Sequence, residues 1–466
     1  MPNTTGKNQW SDKETPSDEV LLERFRQYDI ECLDFPKQVL RFRTDCDWTI
    51  HISTLKRHRI RLGLPGRRLQ FQAVPQEVSK AIVEEYLDTH PKEAERFGPR
   101  HLRELIAKTG SQIPREFIRS IMLQRSEESF DDFDRRWPLH KKMKRFTLTS
   151  AGLHDAHHAD GHEKLCDPCR LPIYGMREKQ TGKILWLQIH PNVRKTLPVA
   201  LMHLDLINQL GGMPVCTVLD RGSETSEVGV LTSILRTTSA PHLDPIVIPP
   251  LVYVQSKRNT IIESFWRWLR EQWGDDIKKL ICEGLSQGLC DLNNPTHRTI
   301  YHWVIVPLVQ ASLDVYVEDY NNHTIRHQAD KLLDSGMTPN HAYSTATTRG
   351  YFNCLIPVSQ ANIDTYRKDI EDEIAADEQN GGLDQLWFWT KRQNKLLKKV
   401  WASIGGGTLE LDTAFDSIHK IIRRVQSMQD EADVLLKYGV GGLGRGHNED
   451  ADYVGPRDEG AYVPLD

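Results

Sequence analysis

Pro214-Val-Cys-Thr-Val-Leu-Asp-Arg-Gly222 is a short apolar run that stops at an acid and a glycine. Its length and β-branched content suit a buried strand that ends in a turn, with Asp220 on the last strand position. Upstream, Leu171–Tyr174 and Ile184–Ile189 (Ile-Leu-Trp-Leu-Gln-Ile) have the same character and are bridged by the turn-prone Gln180-Thr-Gly-Lys183, which predicts a hairpin. Thr196–Leu210 keeps a helical period and stops at Gly211-Gly212. Downstream, Val228–Leu235 is expected to be helical, Ile246–Val254 extended and Thr260–Trp273 helical. A hairpin followed by strand–helix alternation argues for an α/β domain, a mixed sheet flanked by helices.

Both flanks of this segment are expected to be helical. Val78, Ile82, Val83 and Tyr86, and then Leu102, Leu105 and Ile106, recur at helical spacing. Ile52–Gly63 predicts a short helix with Ser53 as its cap and Gly63 as its left-handed stop. Lys56, Arg57, Arg59, Arg61, Arg67 and Arg68 fall in or just after it with no acid among them. Helix, glycine-containing turn and helix near Thr109-Gly-Ser-Gln112 outline a helix-turn-helix, and a plain helical bundle with a solvated basic face fits the same pattern. After Thr345 come an acidic helix at Asp364–Glu378 and an aromatic-basic helix from Leu386 to Lys399. The expected division is residues 1–18 disordered, 19–72 and 73–148 helical, 149–345 the α/β domain, 346–438 helical and 439–466 a disordered tail.

A chain of 466 residues calls for two or three domains. The net charge of −4 rules out a polycation, so any phosphate contact has to come from local basic patches. Eight scattered cysteines and a polar N-terminus without a secretory core point to reduced thiols and an intracellular location. No long apolar run suggests a membrane span.

Three acids stand at telling places: Asp160 before the hairpin, Asp220 at a strand end, and Glu263 inside a helix. They are separated by 60 and 43 residues, so only folding can gather them. Cleaving and rejoining a phosphodiester needs an activated attacking oxygen and a neutralised leaving oxygen, which two cations ~3.5–4 Å apart can supply together. Hard cations such as Mg²⁺ take carboxylate, water and phosphate oxygens. On the third element Ile262, Phe265, Trp266 and Leu269 form an apolar stripe, and Asn259, Glu263 and Arg267 share a neighbouring face.

The segments His158-Ala-Asp-Gly-His-Glu-Lys-Leu165, Leu219-Asp-Arg-Gly-Ser-Glu-Thr225 and Lys257-Arg-Asn-Thr-Ile-Ile-Glu-Ser-Phe-Trp-Arg-Trp-Leu-Arg270, followed by Asp319-Tyr-Asn-Asn322, Arg326-His327 and Met337-Thr-Pro339, resemble the integrase core of retroviral integrases and DDE transposases. The likeness is greatest to the integrase-core proteins of eukaryotic mobile elements. It implies an RNase H-like fold in which Asp160, Asp220 and Glu263 hold two Mg²⁺ or Mn²⁺ ions. It further implies a DNA partner, a homo-oligomer, a nuclear location and helix-turn-helix elements ahead of the core. Lys257, Arg258 and Arg267 are expected to steady the DNA backbone, with Lys56, Arg57, Arg59 and Arg61 positioning it. A domesticated relative of the same fold, binding DNA or protein without catalysis, is the alternative.

His154, His157, His158, His162, Cys166 and Cys169 crowd together, and Cys166-Asp-Pro-Cys169 has the pair spacing of a zinc knuckle. A zinc cage there would share space with the first catalytic strand, so no zinc is expected. His190, His203, His302 and His323 are expected to be ordinary surface or core histidines.

Overall fold

A computed structural model describes residues 15–125, 148–165, 167–193, 196–220, 222, 225–254, 259–328, 331–379 and 387–428. The expected tails at 1–18 and 439–466 fall wholly or largely outside these residues. The chain divides into two compact units, one formed by Met1–Thr149 with Asn321–Phe352 and the other by Ser150–Tyr320 with Asn353–Asp466.

The first unit is helical. Helices α1 (Asp18–Ile30), α2 (Phe35–Asp45) and α3 (Ile52–Arg61) enclose Leu21, Phe25, Tyr28, Phe42, Trp48 and Leu55. After α4 (Arg67–Ala73), helices α5 (Gln76–Thr89), α6 (Pro91–Arg96), α7 (Pro99–Lys108) and α8 (Arg115–Arg125) surround a second core that includes Val83, Leu102, Ile106 and Ile118. Gly63 adopts the expected left-handed conformation at φ 73° after α3. The cap at the other end differs from expectation: His51, not Ser53, takes the N-cap position, and its Nδ1 accepts from the Ser53 N–H at 3.3 Å.

The second unit is built on a five-stranded mixed sheet. Its strands are β1 (Ala156–His162), β2 (Ile173–Glu178), β3 (Ile184–Ile189), β4 (Cys216–Asp220) and β5 (Leu251–Val254), in the spatial order β3-β2-β1-β4-β5. The hairpin strands pair antiparallel, whereas β4 runs parallel to both β1 and β5. Helices α9 (Thr196–Leu210) and α10 (Ser226–Ser239) lie between β3, β4 and β5 in the chain. After β5 come α11 (Thr260–Leu269), a π-helical turn at Arg270–Gly274, α12 (Asp275–Ser286) and the long α13 (Pro295–Asn322). The mixed sheet with flanking helices is the RNase H-like arrangement expected from the sequence.

α13 departs from expectation: by length and composition alone it could cross a membrane, although polar residues interrupt its apolar runs. Its apolar window is 61% buried within the protein, where Tyr301, Val304, Ile305 and Val309 pack against the sheet and α11. The same core receives two C-terminal helices, α16 (Lys391–Ser403) and α17 (Ala414–Ser427), which follow α14 (Pro339–Ser344) and α15 (Gln360–Gln379). Leu397, Val400, Ile418 and Ile421 fill it, and the Trp303 indole donates to Asn394 Oδ1 at 2.8 Å. The aromatic-basic helix therefore starts later than expected. Thr390 caps it in a reciprocal pair with Gln393, leaving Trp387–Trp389 ahead of the helix.

Gly175 faces Asp160 across the β1–β2 pair. A Cβ there would collide with Leu187 and stand 2.8 Å from the Trp266 ring. Glycine at this position leaves the indole room to lie on the sheet. Gly175→Ala is expected to cost about 1–3 kcal/mol of stability through overpacking. A thermal midpoint equal to that of the parent would show that the ring is not confined there.

Candidate active site

Asp160 and Asp220 lie on neighbouring strands. The β1–β4 ladder pairs Ala156, His157 and His158 with Cys216, Thr217 and Val218. Each aspartate lies two residues beyond the last pair, so both stand at the same end of the sheet and on one face. This is the carboxyl end of parallel strands, where open α/β sheets place their ligands. On its other side Asp220 pairs with Val254 of β5.

The helix bearing Glu263 is fastened to β1 at two points. Asn259, at the N-cap of α11, is fully buried; its Oδ1 lies 2.7 Å from His158 Nδ1, and its Nδ2 donates to the Ala159 carbonyl at 3.2 Å. One turn beyond Glu263, the Trp266 indole donates to Asp160 Oδ2 at 2.9 Å. Residues 259, 263 and 266 are spaced at i, i+4 and i+7, so Glu263 lies between two contacts that both reach β1. A third fastening comes from Arg177 of β2. Its guanidinium donates to Gly182 O at 3.0 Å, Ile261 O at 2.6 Å, Ser264 Oγ at 3.1 Å and the Tyr320 hydroxyl at 2.8 Å.

The carboxylates sense one another. Burial pushes the Asp160 carboxyl up to about 7, and the charges of Asp220 and Glu263 push in the same direction. The N–H donors of Trp266 and Gly161 oppose this rise. Burial and then the Glu263 charge also raise Asp220. Mutually repelling acids at a strand end form a site short of positive charge. In charge and donor chemistry this set fits a divalent cation. Its spacing is looser: among the described residues no three His, Cys, Asp or Glu side chains already stand close enough to hold an ion.

A family model described as integrase core domain matches residues 151–349. Residues 151–349 are an integrase core domain. A comparison with curated proteins gave no match. The integrase core takes in the whole five-stranded sheet and all three acids. Its family is typically a polynucleotidyl transferase that uses divalent metal.

The basic residues expected to contact DNA have diverse fates. Lys56 and Arg57 are exposed on α3, with the Lys56 ammonium 5.0 Å from the Phe35 ring centre. Arg61 is exposed but held by Asp18 through two bonds of 2.7 and 2.6 Å. Arg59 is a correction. It is 1% exposed, pairs with Asp29 at 2.5 Å and donates to Gln38 at 3.1 Å, so it holds α1, α2 and α3 together and presents no charge to a phosphate. Arg267 is exposed one turn beyond Glu263 on α11, 3.8 Å from Glu271, whereas Lys257 and Arg258 lie outside the described residues.

Cys166 also lies outside them. The neighbouring histidines have other partners: the His154 and His157 rings meet at 2.8 Å, His158 meets Asn259, and His162 stacks on Trp266 at 4.8 Å. His203 is buried against the Tyr174 hydroxyl at 3.2 Å, His190 and His302 are buried and held near 4 and 3, and His323 pairs with Glu104 at 2.7 Å. Asn259, Arg177 and Gly175 are the site residues that sequence reasoning missed. Trp266 was read only as packing.

The elevated Asp160 carboxyl has a consequence for stability. Below its ordinary value of 3.8 it is protonated in folded and unfolded chains alike and costs nothing. Between 3.8 and about 7 the folded chain retains a proton that the unfolded chain has shed, so stability falls as pH rises through this window. Asp160→Asn lacks this dependence. In metal-free buffer the difference between the melting temperatures of variant and parent should move in the variant's favour from about pH 4 to about pH 7 and then level off. A difference that does not vary with pH would remove the carboxyl from this role.

Proposed function

We propose that this protein is a DNA integrase or transposase that uses Asp160, Asp220 and Glu263 to cut a DNA end and join it to a target. The observation that carries this is the meeting of two strand-end aspartates with a helix fastened on either side of Glu263. The three carboxylates would hold Mg²⁺ or Mn²⁺, which activates the attacking oxygen and neutralises the leaving one. Trp266 and Gly161 orient Asp160, each taking one of its oxygens. Asn259 and Arg177 set the position of Glu263. Arg267, with Lys257 and Arg258 just before α11, would bear on the backbone phosphates, and Lys56 and Arg57 would add a second contact from the helical unit. A homo-oligomer holding two DNA ends and a nuclear location belong to the same proposal.

The test is strand transfer by the full chain, with labelled duplex ends, a plasmid target and either Mg²⁺ or Mn²⁺. Joined product is the expected result. A second reading, DNA binding without catalysis, is favoured by one observation: both Asp160 oxygens already accept hydrogen bonds from the protein. It predicts retained DNA affinity with neither nicking nor joining under either ion.

A further inference from the structure

Helices α16 and α17 bury one side and charge the other. Leu397, Val400, Ile418, Ile421 and Val425 anchor them in the core. On the outside Arg392, Lys395 and Lys399 follow one another at i, i+3 and i+7 along α16, and Lys420, Arg423 and Arg424 at i, i+3 and i+4 along α17. All six side chains are exposed. Arg424 Nε donates to Ser403 Oγ at 3.4 Å, which brings the last turns of the two helices together. Lys399 and Lys420 stand one turn back from these two residues, so the two basic stripes converge. Acids are few here: α16 has none, and α17 has only Asp416 in its first turn. Among the described residues none of the six cations is paired with a carboxylate.

Like charges gathered on a rigid surface call for an anionic partner. The chain supplies one itself. Residues 387–428 hold eight bases against three acids, whereas residues 429–466, which follow α17 directly, hold nine acids against three bases. The densest acids are Glu449-Asp-Ala-Asp452 and Asp458-Glu459. From Met428 to Glu449 the chain can span up to about 70 Å, and α17 is about 20 Å long, so these acids can reach the whole basic surface. The tether also holds them at a local concentration on the order of millimolar, which a separate molecule has to outcompete.

We propose that residues 449–459 dock on the basic face of α16 and α17 and compete there with the phosphates of DNA. The docking stands on charge and reach; the competition rests on the integrase reading. An anionic segment that occupies the face nine-tenths of the time lowers its apparent affinity for another polyanion roughly tenfold. The segment thus acts as a built-in brake on phosphate binding, released by salt.

Two measurements on the full chain test this. Carbodiimide, which joins a carboxylate to a touching lysine, should link acids of residues 449–459 to Lys395, Lys399 or Lys420. Mixing ordinary with isotope-labelled chains should show the links within one chain, and about 1 M salt should abolish them. No links, or links only between chains, overturn the docking. In fluorescence anisotropy, Glu449→Gln, Asp450→Asn, Asp452→Asn, Asp458→Asn and Glu459→Gln together are expected to tighten duplex binding about tenfold. Adding Lys395→Gln, Lys399→Gln and Lys420→Gln should cancel that gain. Amide substitution of Asp364, Asp369, Glu371, Asp372 and Glu373, all exposed on α15, changes net charge equally and should alter affinity by less than about twofold. An equal gain from that control, or no gain from the first variant, overturns the competition. If no variant binds a duplex, the integrase reading falls with the competition, and the cross-links still decide the docking.

Discussion

Glu263→Gln is expected to lower strand transfer by about 10³-fold or more while leaving the protein folded and able to bind DNA. Glutamine keeps the shape of glutamate and its place between Asn259 and Trp266, so the fastening of α11 to β1 is untouched. What disappears is one negative charge and one hard oxygen donor. The Glu263 charge is among the causes that raise both Asp160 and Asp220. Removing it relieves both carboxyls, so in metal-free buffer near pH 8 the variant should melt slightly higher than the parent. Loss of turnover together with a gain in stability separates a chemical defect from a folding one. Turnover that survives the substitution would remove Glu263 from the mechanism.

Arg177→Ala should produce the largest loss of stability, about 3–5 kcal/mol. The side chain is 8% exposed and its guanidinium serves four acceptors on three elements. Truncation strands the Gly182 carbonyl in the interior, removes the tie to the Ile261 carbonyl and opens a void against Tyr320. The first turn of α11 then loses its hold on β2, and Glu263 with it. Thermal unfolding and strand transfer should both decline. Arg177→Lys keeps the charge without the planar fork, so partial recovery of both is expected. An alanine variant that melts with the parent would show that α11 is held by Asn259 and Trp266 alone.

Much of this arrangement is legible in the chain because it depends on local pattern. The apolar run ending at Asp220, the hairpin with its Thr-Gly turn and the stripe of Ile262, Phe265, Trp266 and Leu269 each declare an element within a few residues. The acids are legible as candidates for the same reason. Their supports are not, because each joins residues that lie far apart: His158 to Asn259, Arg177 to Ile261, Gly175 to the Trp266 ring. Arg59 misled in the same way. A run of bases without neighbouring acids reads as a solvated face, yet its neutralising partner, Asp29, sits in a helix two elements earlier. One missed boundary was visible, since Thr390-Lys-Arg-Gln393 carries a capping-box signature that puts the helix start after Trp389.

The helical unit is not a simple N-terminal piece. Asn321–Phe352 returns to it after the whole five-stranded sheet has been threaded. The returning stretch satisfies groups left waiting inside: Glu104, 6% exposed, accepts from Thr324 at 3.1 Å and meets the His323 ring at 2.7 Å, while Thr44 meets Thr348 at 2.9 Å. A fragment cut at residue 149 would therefore leave this interior carboxylate only its longer pairs with Arg100 and Arg103, at 3.8 and 3.7 Å, and an open seam. Dissecting this protein calls for a split gene that supplies both pieces, and a premature stop anywhere in the sheet would forfeit the helices already made.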